Sequence, residues 1–227
     1  MSIESSLPAK EILERQRGHW DENFSQRPEM FGAEPSDPAL KAAELFRREG
    51  KTSLLELGGG QGRDTLFFAR EGFQVTVLDY SQAAMEAISA KAEAAGLAGL
   101  ITAIRHDVRE PLPFDNEVFD GCYSHMLFCM ALTTAELERL SDEVRRVLKP
   151  GGLHVYTVRH TKDPHYGTGA HRGEDMYEVG GFIVHFFTSE KARQLARGCE
   201  VVSLDEFEEG GLPRKLFRVT LRKKREG

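Results

Sequence analysis

The stretch TSLLELGGGQGRDTLFFAREGFQVTVLDYS, residues 52–81, decides the fold of this 227-residue chain. An apolar strand pattern at residues 52–57 runs into a cluster of glycines, a helical pattern at residues 64–71 follows, and a second strand is predicted at residues 74–78. Such continuous apolar runs are typical of strands that are buried on both faces. Strands joined by a crossover of helical length predict a parallel sheet that is covered by helices.

The same alternation continues on both sides of this stretch. Further strands are predicted at residues 100–106, 118–123, 153–159, 199–207 and 216–221, and further helices at residues 8–20, 38–49, 81–96 and 189–197, with a helix between the capping box Thr133/Glu136 and the terminating run Lys149–Gly152. Residues 161–177 follow neither period and are predicted to form a long loop. We therefore expect an α/β fold with a doubly wound, Rossmann-like, seven-stranded and mostly parallel sheet, helices on both faces and an antiparallel last strand.

Composition narrows the class of protein. Hydrophobic residues make up 40% of the chain, which is enough for a sizeable core, and the net charge of −6 gives no general attraction to nucleic acid. The amino-terminal sequence has neither a signal-peptide pattern nor an apolar run of membrane-spanning length, so a cytoplasmic protein with no membrane partner is expected. Three cysteines without a CxxC pair predict neither a disulfide framework nor a structural metal site.

The glycine cluster directly follows the first predicted strand. In a sheet of this type, ligands bind at the carboxyl ends of the strands, where the strand order reverses. The dinucleotide fingerprint G-x-G-x-x-G fails here, because Arg63 or Thr65 stands where its last glycine is required, and the G-K-[ST] of a phosphate loop is missing. The sequence therefore argues against a diphosphate ligand.

Two acidic residues flank this cluster. Glu56 stands two residues before the first glycine, where a carboxylate repels a pyrophosphate and attracts a cation. Asp79 ends the second strand, where a carboxylate accepts hydrogen bonds from ribose hydroxyls. Together the two positions predict a binding site for a positively charged nucleoside.

These motifs resemble those of class I S-adenosylmethionine-dependent methyltransferases. The resemblance lies in LLELGGGQGRD, TVLDYS, the pairs Asp107–Val108 and Phe119–Asp120, and VRRVLKPGG, in the family's order over residues 38–160. The run GQGRDTLFFAREGFQVTVLDYS, with Trp20 in a preceding helix, is most similar to the small tellurite-resistance and thiopurine-type methyltransferases. The implied cofactor is S-adenosyl-L-methionine.

The resemblance also implies roles for individual residues. The glycine loop and Glu56 hold the methionine end of the cofactor, Asp79 holds its ribose, and Asp107 accepts from the adenine amino group, for which an ion pair with a neighbouring arginine is the alternative. The complete set of implied cofactor-binding residues is Trp20, Glu56, Gly58, Gly59, Gly60, Arg63, Asp79, Tyr80, Ser81, Asp107, Val108 and Ser124.

Methyl transfer from a sulfonium is an in-line displacement that needs alignment and a water-poor cavity more than any fixed catalytic residue. The catalytic residues therefore stay unknown at this point. The acceptor-side candidates follow the fourth and fifth predicted strands: His125, Arg159, His165 and Tyr166. The spacing of the histidines in the carboxyl-terminal half of the sequence fits no metal site, so no metal is expected. Cys122 and Cys129 leave open a soft metalloid acceptor.

We expect one methyltransferase domain over residues 1–227, made of an amino-terminal helix and lid segment (1–37), a cofactor-binding core (38–160), and an acceptor-side loop with the last strands (161–227). A small-molecule acceptor is expected, because the chain offers neither an additional domain nor a basic surface. The alternatives are methylation of protein or RNA, and a catalytically silent S-adenosylmethionine-binding module. The sequence predicts no oligomeric state.

Overall fold

The computed structural model describes residues 10–210 and 214–225. Its elements are α1 (Lys10–Gln26), α2 (Asp37–Arg48), β1 (Ser53–Leu57), α3 (Arg63–Arg70), β2 (Gln74–Asp79), α4 (Gln82–Ala94), β3 (Ile101–Arg105), β4 (Phe119–His125), α5 (Thr134–Val147), β5 (Leu148–Arg159), β6 (Ala170–His171), β7 (Met176–Val179), β8 (Phe182–His185), α6 (Ser189–Gln194), β9 (Cys199–Glu209) and β10 (Arg214–Lys223).

Seven strands form one sheet in the order β3-β2-β1-β4-β5-β10-β9. Neighbouring strands among the first five are parallel, whereas β10 is antiparallel to both β5 and β9. The predicted doubly wound sheet with an antiparallel last strand is therefore confirmed. The chain leaves β1 toward β2 and β3 and then returns to the opposite side of β1, so the strand order reverses between β1 and β4.

The two faces of β1 pack against different helices because side chains alternate along a strand. Leu54 belongs to a core cluster with the apolar residues of α2 and α3, including Phe46 and Phe68. Leu55 and Leu57 belong to a larger cluster with the apolar residues of α5 and α6. This division explains why the strand is apolar at nearly every position, and it places helices on both faces as predicted.

Two boundaries differ from the predictions, and a third lies outside the described residues. The predicted start of the first helix at residue 8 lies outside the described residues, and α1 continues to Gln26. The run Lys149–Gly152 terminates α5 but already belongs to β5, where it forms an irregularity opposite Asp120 and the Lys149 ammonium lies 2.9 Å from the Asp120 carboxylate.

The predicted long loop is wrong in part. Residues 170–185 form a separate three-stranded antiparallel sheet, β6-β7-β8. Its hairpin turn at Gly180–Gly181 is held against α1, because the Gln16 amide donates to the Gly181 carbonyl at 2.9 Å and accepts from the Ile183 N–H at 3.1 Å. The strands are only two to four residues long, which explains why no period was visible in the sequence.

Several basic residues near the carboxyl end lie on β10. Arg222 makes a two-bond ion pair with Glu49, and Arg218 pairs with Asp205 at 2.8 Å. Leu216 and Phe217 are buried in the same strand. The structure thus gives these basic side chains acidic partners within the chain. Within the described residues, no helix is long and apolar enough to cross a membrane.

One core histidine makes the fold sensitive to acid. His154 in β5 is packed against Phe128 and Tyr156, and burial lowers its pKa from 6.5 to about 3. The unfolded chain therefore binds a proton between pH 6.5 and 3 that the folded chain excludes, so the contribution of His154 to stability is present above pH 6.5 and is lost as the pH falls through this window.

We expect His154→Phe to reduce the acid lability of the fold. Between pH 7.5 and pH 5, the free energy of unfolding is expected to fall in both proteins, and the fall is expected to be about 2 kcal/mol smaller in the variant than in the native chain. Denaturant titrations of both proteins at the two pH values measure this difference. Parallel pH dependences of the two proteins would contradict the assignment.

Candidate active site

A cavity of about 570 Å³ opens at the carboxyl ends of β1, β2, β4 and β5, across the place where the strand order reverses. Its size lies in the range of about 300–1,000 Å³ that is typical of small-ligand sites. Residues from α1, the glycine loop, the small second sheet and the β9–β10 end of the large sheet complete its walls. This cavity therefore lies where the sequence predicts the binding site.

The glycine loop forms the floor of this cavity. Gly58 and Gly60 have φ angles of 74° and 52°, which are left-handed conformations that favour glycine. A Cβ atom on Gly59 would collide with the side chain of Val77. The loop thus presents bare backbone to the cavity, as a close contact with a ligand requires.

Glu56 is 3% exposed and lines the cavity at the end of β1. Its carboxylate accepts a hydrogen bond of 2.6 Å from the Thr65 hydroxyl. Burial, assisted by the nearby charge of Asp64, raises the pKa of Glu56 to about 8, although the hydrogen bond from Thr65 acts to lower it. A positive charge beside this carboxylate would favour its ionised form.

Asp79 is held at the end of β2 by backbone donors on both of its oxygens. One oxygen accepts from the Gly60 N–H at 3.0 Å and the other from the Ser81 N–H at 2.9 Å. Burial raises the pKa of Asp79, and these backbone bonds act in the opposite direction. The carboxylate lines the cavity in a fixed orientation, and its remaining lone pairs are available to hydroxyl donors.

Behind the glycine loop, Asp64 joins three elements, and sequence reasoning did not identify it. Its carboxylate accepts from the N–H and hydroxyl of Ser36 at 2.8 and 2.7 Å and from the Tyr123 hydroxyl at 3.1 Å. Arg63 donates to the same carboxylate at 3.2 Å and lines the cavity. Asp64 therefore fixes α2, α3 and β4 around the site.

Asp107 does not line the cavity. Arg109 donates to both of its oxygens and Arg17 adds a bond of 2.6 Å. Burial opposes ionisation, but these bonds outweigh it and lower the pKa of Asp107 to about 2. The ion-pair alternative describes the observed contacts, and the adenine-binding role stays a prediction. Val108 and His106 on either side of Asp107 do line the cavity.

An aromatic wall lies on the α1 side of the cavity. Trp20 packs against Phe24, Phe31 and Phe182, with ring centroids 4.5 to 6.4 Å apart. Only Trp20 was predicted, because the sequence does not show that α1, the following turn and β8 meet. Apolar aromatic faces of this kind bind flat ligands.

Ser81 caps α4 instead of lining the cavity. Its hydroxyl accepts from the Ala84 N–H at 3.1 Å and donates to Asp21 at 2.6 Å. Tyr80, which precedes it, does line the cavity. Ser124 is fully buried in β4 and does not line the cavity. The contact with Asp21, which ties α1 to the start of α4, was not predicted from the sequence.

On the acceptor side, His125 lines the cavity at the end of β4. Its Nδ1 lies 2.9 Å from the Thr157 hydroxyl, and its Nε2 lies 3.5 Å from the Glu209 carboxylate. Arg159 and His165 also line the cavity, with an Arg159 nitrogen 3.1 Å from His165 Nδ1. Tyr166 lies outside the cavity lining, and its hydroxyl donates to Asp175 at 3.0 Å.

The cysteines do not resemble a site for a soft metalloid. Cys122 and Cys129 are fully buried. Burial raises the pKa of Cys129 to about 11, and its thiol donates to the Met126 carbonyl. Because the thiolate is the form that binds soft acceptors, the structure gives this alternative no support. Among the residues described, no group of three or more His, Cys, Asp or Glu side chains is arranged to hold a metal ion.

Comparisons with known proteins agree with this geometry. Residues 54–152 match the family model described as a methyltransferase domain. This match covers 99 of the 227 residues and lies within the region whose motifs resemble those of the class I S-adenosylmethionine-dependent methyltransferases.

Among relatives of known name, 24-methylenesterol C-methyltransferase 3 of Arabidopsis thaliana is 28% identical over 141 residues, which cover 60% of this chain and 38% of the plant protein. The chain spans less than two fifths of the length of the curated relatives it matches.

Two solved structures share the fold. The 1,6-didemethyltoxoflavin-N1-methyltransferase of Burkholderia thailandensis, with bound 1,6-didemethyltoxoflavin and S-adenosylhomocysteine, has a TM-score of 0.77 at 18% identity, with 98% of this chain and 94% of that chain covered. TehB from Haemophilus influenzae has a TM-score of 0.67 at 17% identity, with 90% and 67% covered. Both identities are low, so these likenesses concern the fold.

Proposed function

We propose that the protein transfers a methyl group from S-adenosyl-L-methionine to a small-molecule acceptor bound in the same cavity. The observation that carries the proposal is the cavity itself, where the ionisable groups of Glu56 and Asp79 flank a bare glycine loop. When bound, S-adenosylmethionine supplies an electrophilic methyl group on a sulfonium. The proposal includes that the acceptor is a small molecule and that the protein is cytoplasmic.

The residues of the site fit this cofactor. The glycine loop provides close backbone approach, and Glu56 provides a carboxylate beside which a cationic methionine end is favoured. Asp79, held by two backbone donors, offers acceptor lone pairs to the ribose hydroxyls. Trp20, Tyr80 and Val108, which line the cavity, would pack against the nucleoside.

The chain contributes mainly alignment and exclusion of water to the reaction. The aromatic wall on α1 and the β7–β8 hairpin cover the cavity from the side opposite the sheet, and Gln16 holds the two together. A nucleophile aligned in such a cavity gains reactivity because fewer water molecules compete for it. The charged residues on the acceptor side then determine which acceptors are admitted.

Asp79→Ala tests the cofactor assignment. Loss of a charged acceptor for the ribose is expected to weaken binding of S-adenosylmethionine by about 1.5 to 3 kcal/mol, the range for hydrogen bonds to charged groups. Isothermal titration calorimetry of the native chain and the variant measures the difference. An exposed carboxylate of the same type, Asp142→Ala on α5, serves as the control and should leave the affinity unchanged. Equal affinities of all three proteins would refute the ribose assignment.

A further inference from the structure

A chain of contacts on the acceptor side begins at Met126. This residue has a φ of 67°, a left-handed conformation that is uncommon for residues other than glycine. Its N–H donates to the Thr157 hydroxyl oxygen at 3.0 Å, and its carbonyl accepts from the Cys129 thiol at 3.2 Å. The unusual turn is thus stabilised from both sides directly after His125, and it aims the Met126 N–H at Thr157.

The buried Thr157 hydroxyl determines the tautomer of His125. Thr157 is 0% exposed, and its oxygen contacts the Met126 N–H and His125 Nδ1. The Met126 N–H is necessarily a donor, and among the described residues Nδ1, at 2.9 Å, is the other polar atom in contact with this buried hydroxyl, so we infer that the hydroxyl hydrogen is donated to Nδ1. In the neutral ring, Nδ1 is then the acceptor and Nε2 carries the hydrogen.

Nε2–H therefore faces Glu209 as a donor. The Glu209 carboxylate lies 3.5 Å from Nε2 and 3.5 Å from an Arg214 nitrogen, and it lines the cavity together with His125. A separation of 3.5 Å is longer than a strong hydrogen bond, so both groups retain capacity for a ligand. Burial acts to raise the pKa of Glu209, but the contact with His125 and the arginine charges outweigh it, so the carboxylate is ionised at neutral pH.

We propose that His125 and Glu209 form a donor–acceptor pair that recognises an acceptor molecule with adjacent N–H and C=O groups, such as a cyclic amide. This inference rests on the proposed function. The ligand oxygen accepts from His125 Nε2–H, and the ligand N–H donates to the Glu209 carboxylate. Phe182 and Val184 of the small second sheet line the same cavity and offer apolar surface to a flat ring of this kind.

Glu209 is also the group that receives the proton during transfer. As the acceptor nitrogen begins to bond to the methyl carbon, its N–H becomes strongly acidic, so the N–H bond breaks in the same step, its proton passes to the Glu209 carboxylate to give a carboxylic acid, and its electron pair stays on nitrogen. That nitrogen forms the bond to the methyl carbon while the carbon–sulfur bond breaks, and its electron pair stays on the leaving thioether. His125 stabilises the negative charge that develops on the adjacent oxygen.

The tautomer is measured directly by ¹⁵N NMR of the imidazole nitrogens in the native chain. We expect protonated Nε2 and unprotonated Nδ1 for His125, with this preference lost in Thr157→Val and retained in Thr157→Ser. This measurement requires neither cofactor nor acceptor. A native ring protonated at Nδ1 alone would overturn the proposal.

The acceptor class is tested with 2-pyridone and uracil as probes, and with 1-methyl-2-pyridone, aniline and thiophenol as controls. In the presence of S-adenosylhomocysteine, the two lactams are expected to shift the His125 Nε2 resonance, and aniline and thiophenol are not; 1-methyl-2-pyridone, which has the carbonyl but no N–H, is the control for turnover. Release of S-adenosylhomocysteine from S-adenosylmethionine is expected with a lactam. The proposal would be overturned if, at millimolar concentration, the lactams caused no shift of the resonance and no release of S-adenosylhomocysteine. Turnover with the controls alone would also overturn it.

Glu209→Gln and its neighbour Glu208→Gln form a matched pair on β9, since the Glu208 side chain is 59% exposed. Glu209→Gln is expected to lower lactam turnover by about 100-fold or more and to leave the affinity for S-adenosylhomocysteine unchanged, whereas Glu208→Gln changes neither. Equal lactam turnover in the two variants would overturn the role of Glu209. Failure of the native chain to bind S-adenosylhomocysteine would instead overturn the proposed function, so the two failures are distinguishable.

Discussion

Asp163→Ala is expected to lower the free energy of unfolding by about 3 to 5 kcal/mol, because it leaves the buried guanidinium of Arg159 without its partner. Asp163 is 3% exposed and accepts two bonds from Arg159, at 2.9 and 2.5 Å. It also accepts from the backbone N–H groups of His165 and Lys215, at 2.9 and 2.8 Å. The substitution removes all four bonds at once.

The effect is measured by denaturant unfolding at pH 7.5. The ion pair Asp142–Arg145 on α5 provides a matched control, since both of its side chains are at least 40% exposed. Asp142→Ala is expected to change the free energy of unfolding by less than about 1 kcal/mol. Similar effects of the two substitutions would contradict the structural role of Asp163.

The same contacts hold both ends of the segment after β5 in place. Asp163 fixes its beginning against β10, and Glu174 fixes its end by accepting from the Thr134 N–H at 2.9 Å. Deletion of residues 163–175 would therefore remove structural contacts of the fold.

Glu56→Gln is expected to have opposite effects on folding and on cofactor binding. The pKa of Glu56 in the folded chain is raised to about 8, from 4.5. Between these two values the folded chain retains a proton that the unfolded chain has lost, so the contribution of Glu56 to stability is greatest below pH 4.5 and falls as the pH rises to 8. Glutamine does not titrate, and the ligand-free variant is expected to be more stable than the native chain at pH 8, by at least about 1 kcal/mol.

Binding of S-adenosylmethionine is expected to weaken by about 100-fold in the same variant at pH 8, since the cationic methionine end loses a charged partner. The native chain should bind more tightly as the pH rises toward 8, whereas the variant should lack this part of the dependence. Calorimetry and thermal unfolding at pH 6 and 8 measure both effects. Exposed Glu93→Gln on α4 is the control. A variant that is less stable than the native chain and binds equally well would falsify this account.

Much of the site follows from local sequence. A glycine cluster after a buried strand places backbone at the sheet edge, and Asp79 ends the neighbouring strand, so both were predictable from strand order and length. The same reasoning placed His125 and Arg159 at the ends of β4 and β5. The cap of α4 by Ser81 also follows from local sequence and is observed, whereas the cofactor-binding roles of Ser81 and Ser124 stay predictions, since neither residue lines the cavity.

The residues that sequence reasoning missed depend on contacts between distant segments. Asp64 was overlooked because its partners Ser36 and Tyr123 lie 28 and 59 residues away. Glu209 was overlooked because β9 and β10 return to the site only through the antiparallel end of the sheet. No local pattern reports such a meeting.

The sequence by itself determined the layered α/β architecture and the place of the ligand loop, because apolar periodicity and glycine conformation are properties of neighbouring residues. Only the tertiary structure decided which charges are paired, which carboxylates are buried and which side chains face one another across the cavity. Those outcomes depend on the distances between segments far apart in the chain, and a shift of a few ångströms there determines whether a carboxylate is an ion-pair partner, as Asp107 is, or a group that lines the cavity, as Asp79 does.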